Sequence, residues 1–176
     1  VKGGFFVNQL QLQQAIEEHG EHMLKIAYFI VKNRATAEDI VQDVFVQLLG
    51  QTNYEERGTL RAYLTKITAN RAKDHLRSWR YRMVQLLGER EPNSSVTQRD
   101  ELLIKDEKSE LGEAILALPL KYREPIILYY YDEMPIIEIA GHLKLPINTV
   151  KTHLRKARQL LQRSLEKGDW EVLIDE

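Results

Sequence analysis

Basic side chains that could bind phosphate are concentrated in two distant segments of the chain. Five bases and the single acid Asp74 lie between residues 71 and 82, and five bases and no acid lie between residues 151 and 163. The two sets are Arg71, Lys73, Arg77, Arg80 and Arg82, and Lys151, Arg155, Lys156, Arg158 and Arg163. Because the 176-residue chain has a formal net charge of only -1, this segregation predicts two phosphate-binding surfaces; the alternative is two solvated helix faces.

An acidic segment precedes both basic segments. Five acids and no Lys or Arg lie between residues 38 and 56. Apolar residues recur there at helical spacing, so we predict a helix over residues 37–49, capped by Thr36. Its other face is acidic and rich in glutamine, which suits a basic protein partner better than nucleic acid. The residues of this face are Glu38, Asp39, Gln42, Asp43 and Gln47.

Aromatic and amide side chains accompany the first basic segment. Bases for phosphate, with aromatic rings and an amide nearby, are what holding unstacked single-stranded bases requires. Tyr63 and Trp79 could instead pack in the core, because Tyr63 lies on the apolar stripe of a helix that Thr59 would cap. We expect a second, basic helix to follow the first. The candidate set is Tyr63, Asn70, Arg71, Lys73, Arg77, Trp79 and Arg80.

The second basic segment fits a helix-turn-helix. A short helix beginning near Pro135, a turn at residues 144–147 and a longer basic helix capped by Asn148 or Thr149 have the geometry that enters a major groove. Side chains near the start of the second helix would contact base edges, and later ones would contact phosphate. The alternative is a basic helical hairpin that enters no groove. The candidate DNA contacts are Thr149, Lys151, Thr152, Arg155, Lys156 and Arg158.

The pattern as a whole predicts an all-α protein of two small helical domains joined by a flexible linker. The periodicity is helical nearly everywhere and fails in a polar stretch that contains Pro92. We place the first domain at residues 8–85, the linker at 86–108, the helix-turn-helix domain at 109–166 and an acidic tail at 167–176.

Several function classes are disfavoured by the composition. The chain has no cysteine, so it can form neither a disulfide nor a thiolate zinc site. No phosphate-binding loop, catalytic triad or metalloprotease motif is present, and we expect no enzyme activity, no cofactor and no metal. No apolar run reaches the roughly 20 residues of a spanning helix, so we expect no membrane insertion and a cytoplasmic location.

Several ordered motifs resemble those of the extracytoplasmic-function (ECF, group IV) sigma factors of bacterial RNA polymerase. They are residues 37–45, then 60–64 with Ile67, Asn70 and 74–77, then 118–119, 138–140, 146–151 and 155–158. The resemblance spans residues 11–165 and both predicted domains. It implies a factor that binds core polymerase, melts promoter DNA and starts transcription at a specific set of promoters.

The resemblance also implies roles for the candidate residues. The acidic helix would bind core polymerase, and the set from Tyr63 to Arg80 would bind the single-stranded minus-10 DNA, with Asn70 in a loop holding a flipped base. The set from Thr149 to Arg158 would bind the minus-35 duplex. An anti-sigma factor is a further partner that this family commonly has. The remaining alternative is a dimeric helix-turn-helix regulator whose first half is an effector or dimerisation domain.

Overall fold

The computed structural model describes residues 9–49, 59–87 and 109–165. Every regular element in these ranges is helical, and no strand occurs in them. The chain divides into two units, Val1–Thr97 and Gln98–Glu176. The predicted all-α class with two helical domains is therefore confirmed. The predicted tail, and the predicted linker except its first two residues, lie outside the described residues.

The described residues of the first unit form three helices, and α1 is at their centre. They are α1 (Gln9–Val31), α2 (Arg34–Leu49) and α3 (Leu60–Leu87). Helix α1 packs against both others, and α2 also packs against α3. Helix α3 can pack closely in this unit because its buried residues Ala69 and Ala72 are small. It contacts α1 through the Thr68 hydroxyl, which donates to Met23 Sδ at 3.3 Å.

A connection of two residues joins α1 to α2 and fixes where α2 begins. Lys32 adopts a left-handed conformation with φ 60°, and the side-chain Oδ1 of Asn33 accepts the N–H of Thr36 at 2.9 Å. Asn33 is therefore the N-cap, and the expectation that Thr36 caps this helix was wrong. The apolar stripe gave no signal for the true start, because its first buried residue is Ala37.

Helix α3 is a single helix of 28 residues. The Thr59 hydroxyl accepts the N–H of Ala62 at 3.2 Å, as the predicted cap requires. The expected break into two helices, with Asn70 in a loop between them, was wrong. Residues 60–87 contain neither glycine nor proline, so no helix-breaking residue lies near Asn70. The neighbouring residues Thr68, Ala69 and Ala72 are buried, which holds this part of the helix against the rest of the unit.

The second unit surrounds its last helix. Its elements are α4 (Glu110–Ala117), α5 (Leu120–Ile126), a π-helical turn (Ile127–Tyr131) that continues α5, α6 (Ile136–Leu143) and α7 (Ile147–Ser164). Helix α7 packs against α4, α5 and α6. Its predicted apolar face is buried as expected, through Val150, Leu154, Ala157 and Leu161.

A buried arginine ties α5 to the end of α4. Arg123 Nη1 donates to the carbonyl oxygens of Leu116 at 3.3 Å and Leu118 at 2.7 Å. These carbonyls lie at a helix end and would otherwise be unpaired. Burial lowers the pKa of Arg123 to about 10, and the neighbouring carboxylate of Glu124 opposes that shift. Arg123 thus keeps its charge at neutral pH.

The turn between α6 and α7 is the one that a helix-turn-helix requires. Lys144 ends α6 in the left-handed conformation with φ 55°, and the Leu145 N–H donates to the Ala140 carbonyl at 3.0 Å. Pro146 occupies the N-cap position of α7, which begins at Ile147. The expected cap at Asn148 or Thr149 was therefore wrong, since both residues lie inside the first turn.

Candidate protein and nucleic-acid interfaces

The outer face of α2 is acidic with an apolar part. Of the predicted residues, Glu38, Asp39, Gln42 and Asp43 are exposed and Gln47 is half-buried. Val46 lies four residues after Gln42 and three after Asp43, and Leu49 lies three after Val46. The exposed fractions of Val46 and Leu49 are 69% and 49%. Residues at these spacings share one helix face. Sequence analysis missed both apolar residues, although neither belongs to the buried stripe.

The acids of this face differ in how closely a base neutralises them. Glu38 Oε1 accepts from Arg34 Nε at 2.8 Å, one turn earlier on the same helix. Arg34 therefore offsets the charge of Glu38. Asp43 also has a basic neighbour, since its Oδ2 lies 3.5 Å from Arg71 Nη1. Among the described residues no such cation lies against Asp39, which makes Asp39 the strongest negative feature of this face.

Helix α3 presents the candidate nucleic-acid contacts on its sides. Asn70, Arg77 and Arg80 are exposed, whereas Tyr63, Arg71, Lys73 and Trp79 are half-buried. Arg77 Nη1 lies 3.5 Å from Asp74 Oδ1 on the same helix, with both side chains largely exposed. Tyr63 and Trp79 are only half-buried, so neither is fully enclosed in the core, and their stacking on unpaired bases stays a prediction.

A groove of about 470 Å³ separates the exposed parts of α2 and α3. It brings residues predicted to bind protein beside residues predicted to bind nucleic acid. The lining residues are Ile40, Asp43, Gln47, Ile67, Asn70, Arg71, Asp74 and His75. Sequence analysis did not predict this juxtaposition, because it depends on how two helices pack.

Arg71 crosses this groove and contacts α2. Its Nε and Nη2 donate to Gln47 Oε1 at 3.2 and 2.8 Å, and its Nη1 lies 3.5 Å from Asp43 Oδ2. We call Arg71, Gln47 and Asp43 the α2–α3 clasp. The clasp joins a predicted DNA contact to two predicted polymerase contacts.

The candidate residues of helix α7 lie opposite its buried face or along the edges of that face. Lys151, Thr152 and Arg155 are exposed, and Thr149, Lys156 and Arg158 are half-buried. The Thr152 hydroxyl donates to the Asn148 carbonyl at 2.9 Å. Its proton is thereby used, and its lone pairs and methyl group are left for a ligand.

Aromatic rings that sequence analysis overlooked support this helix from behind. The rings of Tyr122 and His153 meet edge to face at 5.5 Å, and the Arg158 guanidinium lies 5.8 Å from the centre of the Tyr130 ring. Such contacts hold a cation in place. The number of tyrosines between residues 122 and 131 was the available signal.

Comparison with known proteins accounts for both units. Residues 15–81 match the family model of Sigma-70 region 2, and residues 108–161 match that of Sigma-70, region 4. RNA polymerase sigma factor SigV of Bacillus subtilis (strain 168) is 30% identical over 159 residues, which cover 90% of this chain and 93% of that protein. The chain belongs to the ECF RNA polymerase sigma factors. A second relative, ECF sigma factor SigW of the same organism, is 26% identical over 161 residues, covering 85% of this chain and 86% of SigW.

A solved structure of a sigma factor has the same fold. It is sigma factor RpoE in complex with the anti-sigma factor NepR from Bartonella quintana, with a TM-score of 0.71, 24% identity, and coverage of 89% of this chain and 97% of that one. In the described part of this ECF sigma factor, no helix is long and apolar enough to cross a membrane.

Family membership settles the general function. As an ECF sigma factor, the protein acts in promoter-specific initiation of transcription, with core RNA polymerase and promoter DNA as partners. The alternative of a dimeric helix-turn-helix regulator is not favoured, because the first unit matches Sigma-70 region 2. Sigma factors are in general non-catalytic regulators of transcription.

Proposed function

We propose that three helices of this sigma factor divide its work. Helix α2 binds core RNA polymerase, α3 holds the melted minus-10 strand, and α7 enters the major groove at minus 35. The observation that carries this proposal is the separation of charge: the exposed face of α2 is acidic, whereas α3 and α7 carry the exposed bases.

For α2, both charge and apolar exposure favour a protein partner. Asp39 and Asp43 would repel DNA and attract a basic protein surface. Val46, with 69% of its surface exposed, supplies apolar area next to them. Protein interfaces commonly have an apolar centre with a polar rim, and this face offers both. Glu38, Gln42 and Gln47 complete this polymerase-binding set.

For α3, the arrangement favours single-stranded DNA. Asn70 is exposed in the middle of the helix, where its amide can hydrogen-bond the edge of an unpaired base. Lys73, Arg77 and Arg80 follow it along the helix and can track the phosphates. Tyr63 and Trp79 offer partly exposed rings for stacking, which every base can use.

For α7, the arrangement favours duplex DNA. The helix is anchored by its buried face, so its opposite side can enter a groove without disturbing the core. Lys151, Thr152 and Arg155 lie in the first half, the part that contacts base edges in this motif. Thr149, Lys156 and Arg158 flank them and are suited to the backbone.

The proposed mechanism couples these contacts to promoter opening. Binding of core polymerase recruits the chain, minus-35 contacts fix the register, and capture of non-template bases offsets the cost of unpairing the minus-10 region. The chain supplies no catalysis in this scheme, and the polymerase performs the nucleotide chemistry. The proposal places the protein in the cytoplasm with that enzyme, and an anti-sigma factor as a regulator that competes for these surfaces.

The test is to follow binding and melting separately. Purified chain is titrated with fluorescently labelled bacterial core polymerase, and promoter opening is then detected by permanganate oxidation of unpaired thymines. We expect a saturable complex with core and unpaired thymines that require the chain. A complex that forms without opening any promoter fragment would contradict the role given to α3.

A further inference from the structure

Arg71 is a base of α3 that reaches across the groove to α2. Its guanidinium donates twice to Gln47 Oε1 and lies 3.5 Å from Asp43 Oδ2. By contrast, Arg77 pairs with Asp74 on its own helix. Sequence analysis grouped both arginines as DNA contacts, and the structure separates them.

We propose that Arg71 is a positioning residue for polymerase binding: the α2–α3 clasp holds Asp43 and Gln47 in the orientation that core polymerase binds. This inference rests on the proposed function of α2 and adds a residue of α3 to it. A planar guanidinium with several donors can fix two acceptors at once, which an ammonium cannot do with the same geometry.

The clasp also decides which end of the Gln47 amide is offered outside. Gln47 Oε1 accepts both N–H groups of Arg71, and the Nε2 amino group cannot take that place because it only donates. The amide therefore keeps Nε2 for a partner. Polymerase would therefore meet a hydrogen-bond donor, the Gln47 amino group, beside a hydrogen-bond acceptor, the Asp43 carboxylate, and both would be held in place.

The clasp is only partly buried, so it can order its side chains while adding little to folding stability. Gln47 is half-buried, and the side chains of Arg71 and Asp43 are 39% and 69% exposed. Exposed ion pairs of this kind contribute little to folding stability. Their contribution to binding is different, because holding side chains in the bound geometry removes an entropy cost from association.

The experiment compares Arg71→Ala with wild-type chain in binding core polymerase without DNA. We expect binding to weaken about three- to tenfold. Arg71→Lys keeps the positive charge but not the planar guanidinium, so its affinity for core should lie between those of Arg71→Ala and wild type. Arg82→Ala removes an equal charge from an exposed site of the same helix and should bind core as wild type does.

A double-mutant cycle separates positioning from simple electrostatics. If the clasp acts as one unit, Arg71→Ala combined with Gln47→Ala should cost less than the sum of the two single changes. Circular dichroism and thermal unfolding of each variant confirm that the fold is intact. Additive losses, or complete recovery by Arg71→Lys, would overturn the clasp as a positioning device.

The result that would overturn the proposal most directly is a normal affinity of Arg71→Ala for core, with a loss that appears only when promoter DNA is added. Arg71 would then be a DNA contact like its neighbours. This outcome differs from failure of the proposed function, in which the wild-type chain itself would not bind core polymerase.

Discussion

The two units of this sigma factor expose their contact residues in different ways. In the second unit the candidate residues lie on one side of α7, and the other side of the same helix fills the core. In the first unit they lie on two helices across a groove, and Arg71 ties the two together. Substitutions on α7 should therefore act on DNA binding alone, whereas on the two sides of the groove a change in the clasp should act on polymerase binding and a change of Asn70 on DNA binding.

The largest effect is expected from reversing charge on α2. Asp39→Arg with Asp43→Arg should weaken binding of core polymerase by at least about 100-fold, because like charges facing each other across an interface cost several kcal/mol. Titration of labelled core measures this. Glu17→Arg with Glu18→Arg reverses two exposed acids of α1 and should bind normally. Normal binding by the α2 variant would remove α2 from the polymerase interface.

Arg123→Met tests how strongly the second unit depends on its buried arginine. The change leaves the Leu116 and Leu118 carbonyls without their donor and should destabilise this unit by about 3 kcal/mol. Hydrogen exchange of α4–α7 amides in the whole chain measures the loss. Lys121→Met alters an exposed neighbour and should stay within about 0.5 kcal/mol. Equal exchange in the two variants would show that Arg123 does not hold α4 to α5.

Asn70→Ala tests the α3 side of the groove. Losing an amide contact to a flipped base should destabilise the open complex by about 2 kcal/mol while leaving affinity for core nearly unchanged. Permanganate reactivity and core titration give the two numbers. Ser78→Ala, at an exposed site of the same helix, is the control. An equal loss in both assays would assign Asn70 to the polymerase side.

Arg155→Ala tests whether α7 recognises sequence or only charge. A lost bidentate contact to a base should cost about 1–3 kcal/mol on the preferred minus-35 sequence and much less on altered ones. Holoenzyme binding to a panel of minus-35 variants measures the preference. Arg163→Ala should instead weaken all sequences alike, as a phosphate contact does. A uniform loss for Arg155→Ala would make it a backbone contact.

Thr152 should give the smallest effect. Because its hydroxyl proton is donated to Asn148, Thr152 can accept a hydrogen bond from the amino group of adenine or cytosine. Thr152→Val removes that acceptor and should reduce preference by about 1 kcal/mol, whereas Thr152→Ser retains it. The same panel of minus-35 variants detects the difference. Identical preferences for all three proteins would leave Thr152 without a role in base selection.

The helix-turn-helix could be predicted from sequence because proline marks the start of both of its helices. Pro135 and Pro146 each precede the helix start, and the apolar stripe from Val150 to Leu161 matches the buried face. The continuity of α3 was not predictable in the same way. Its middle turns bury threonine and alanine rather than large apolar residues, so the hydrophobic pattern weakens where the helix is most tightly packed.

The composition of the candidate surfaces was predictable, but their contacts were not. Charge segregation identified the acidic helix and both basic segments, and the structure adds that Arg71 pairs with Gln47 and Asp43. Such a clasp joins residues 24 or more positions apart, and only tertiary packing brings them together. The caps at Asn33 and Pro146 were missed because other residues of capping type stand closer to the first buried residue of each helix. They are Thr36 before Ala37, and Asn148 and Thr149 before Val150.

Run-off transcription with the purified chain and bacterial core polymerase, on a pool of upstream fragments and against core alone, tests the central claim most directly. The account predicts initiation that requires the chain, at promoters sharing two sequence blocks. It also predicts that changes in one block respond to α7 and changes in the other to α3. No initiation, together with tight duplex binding by a dimer of the free chain, would contradict it.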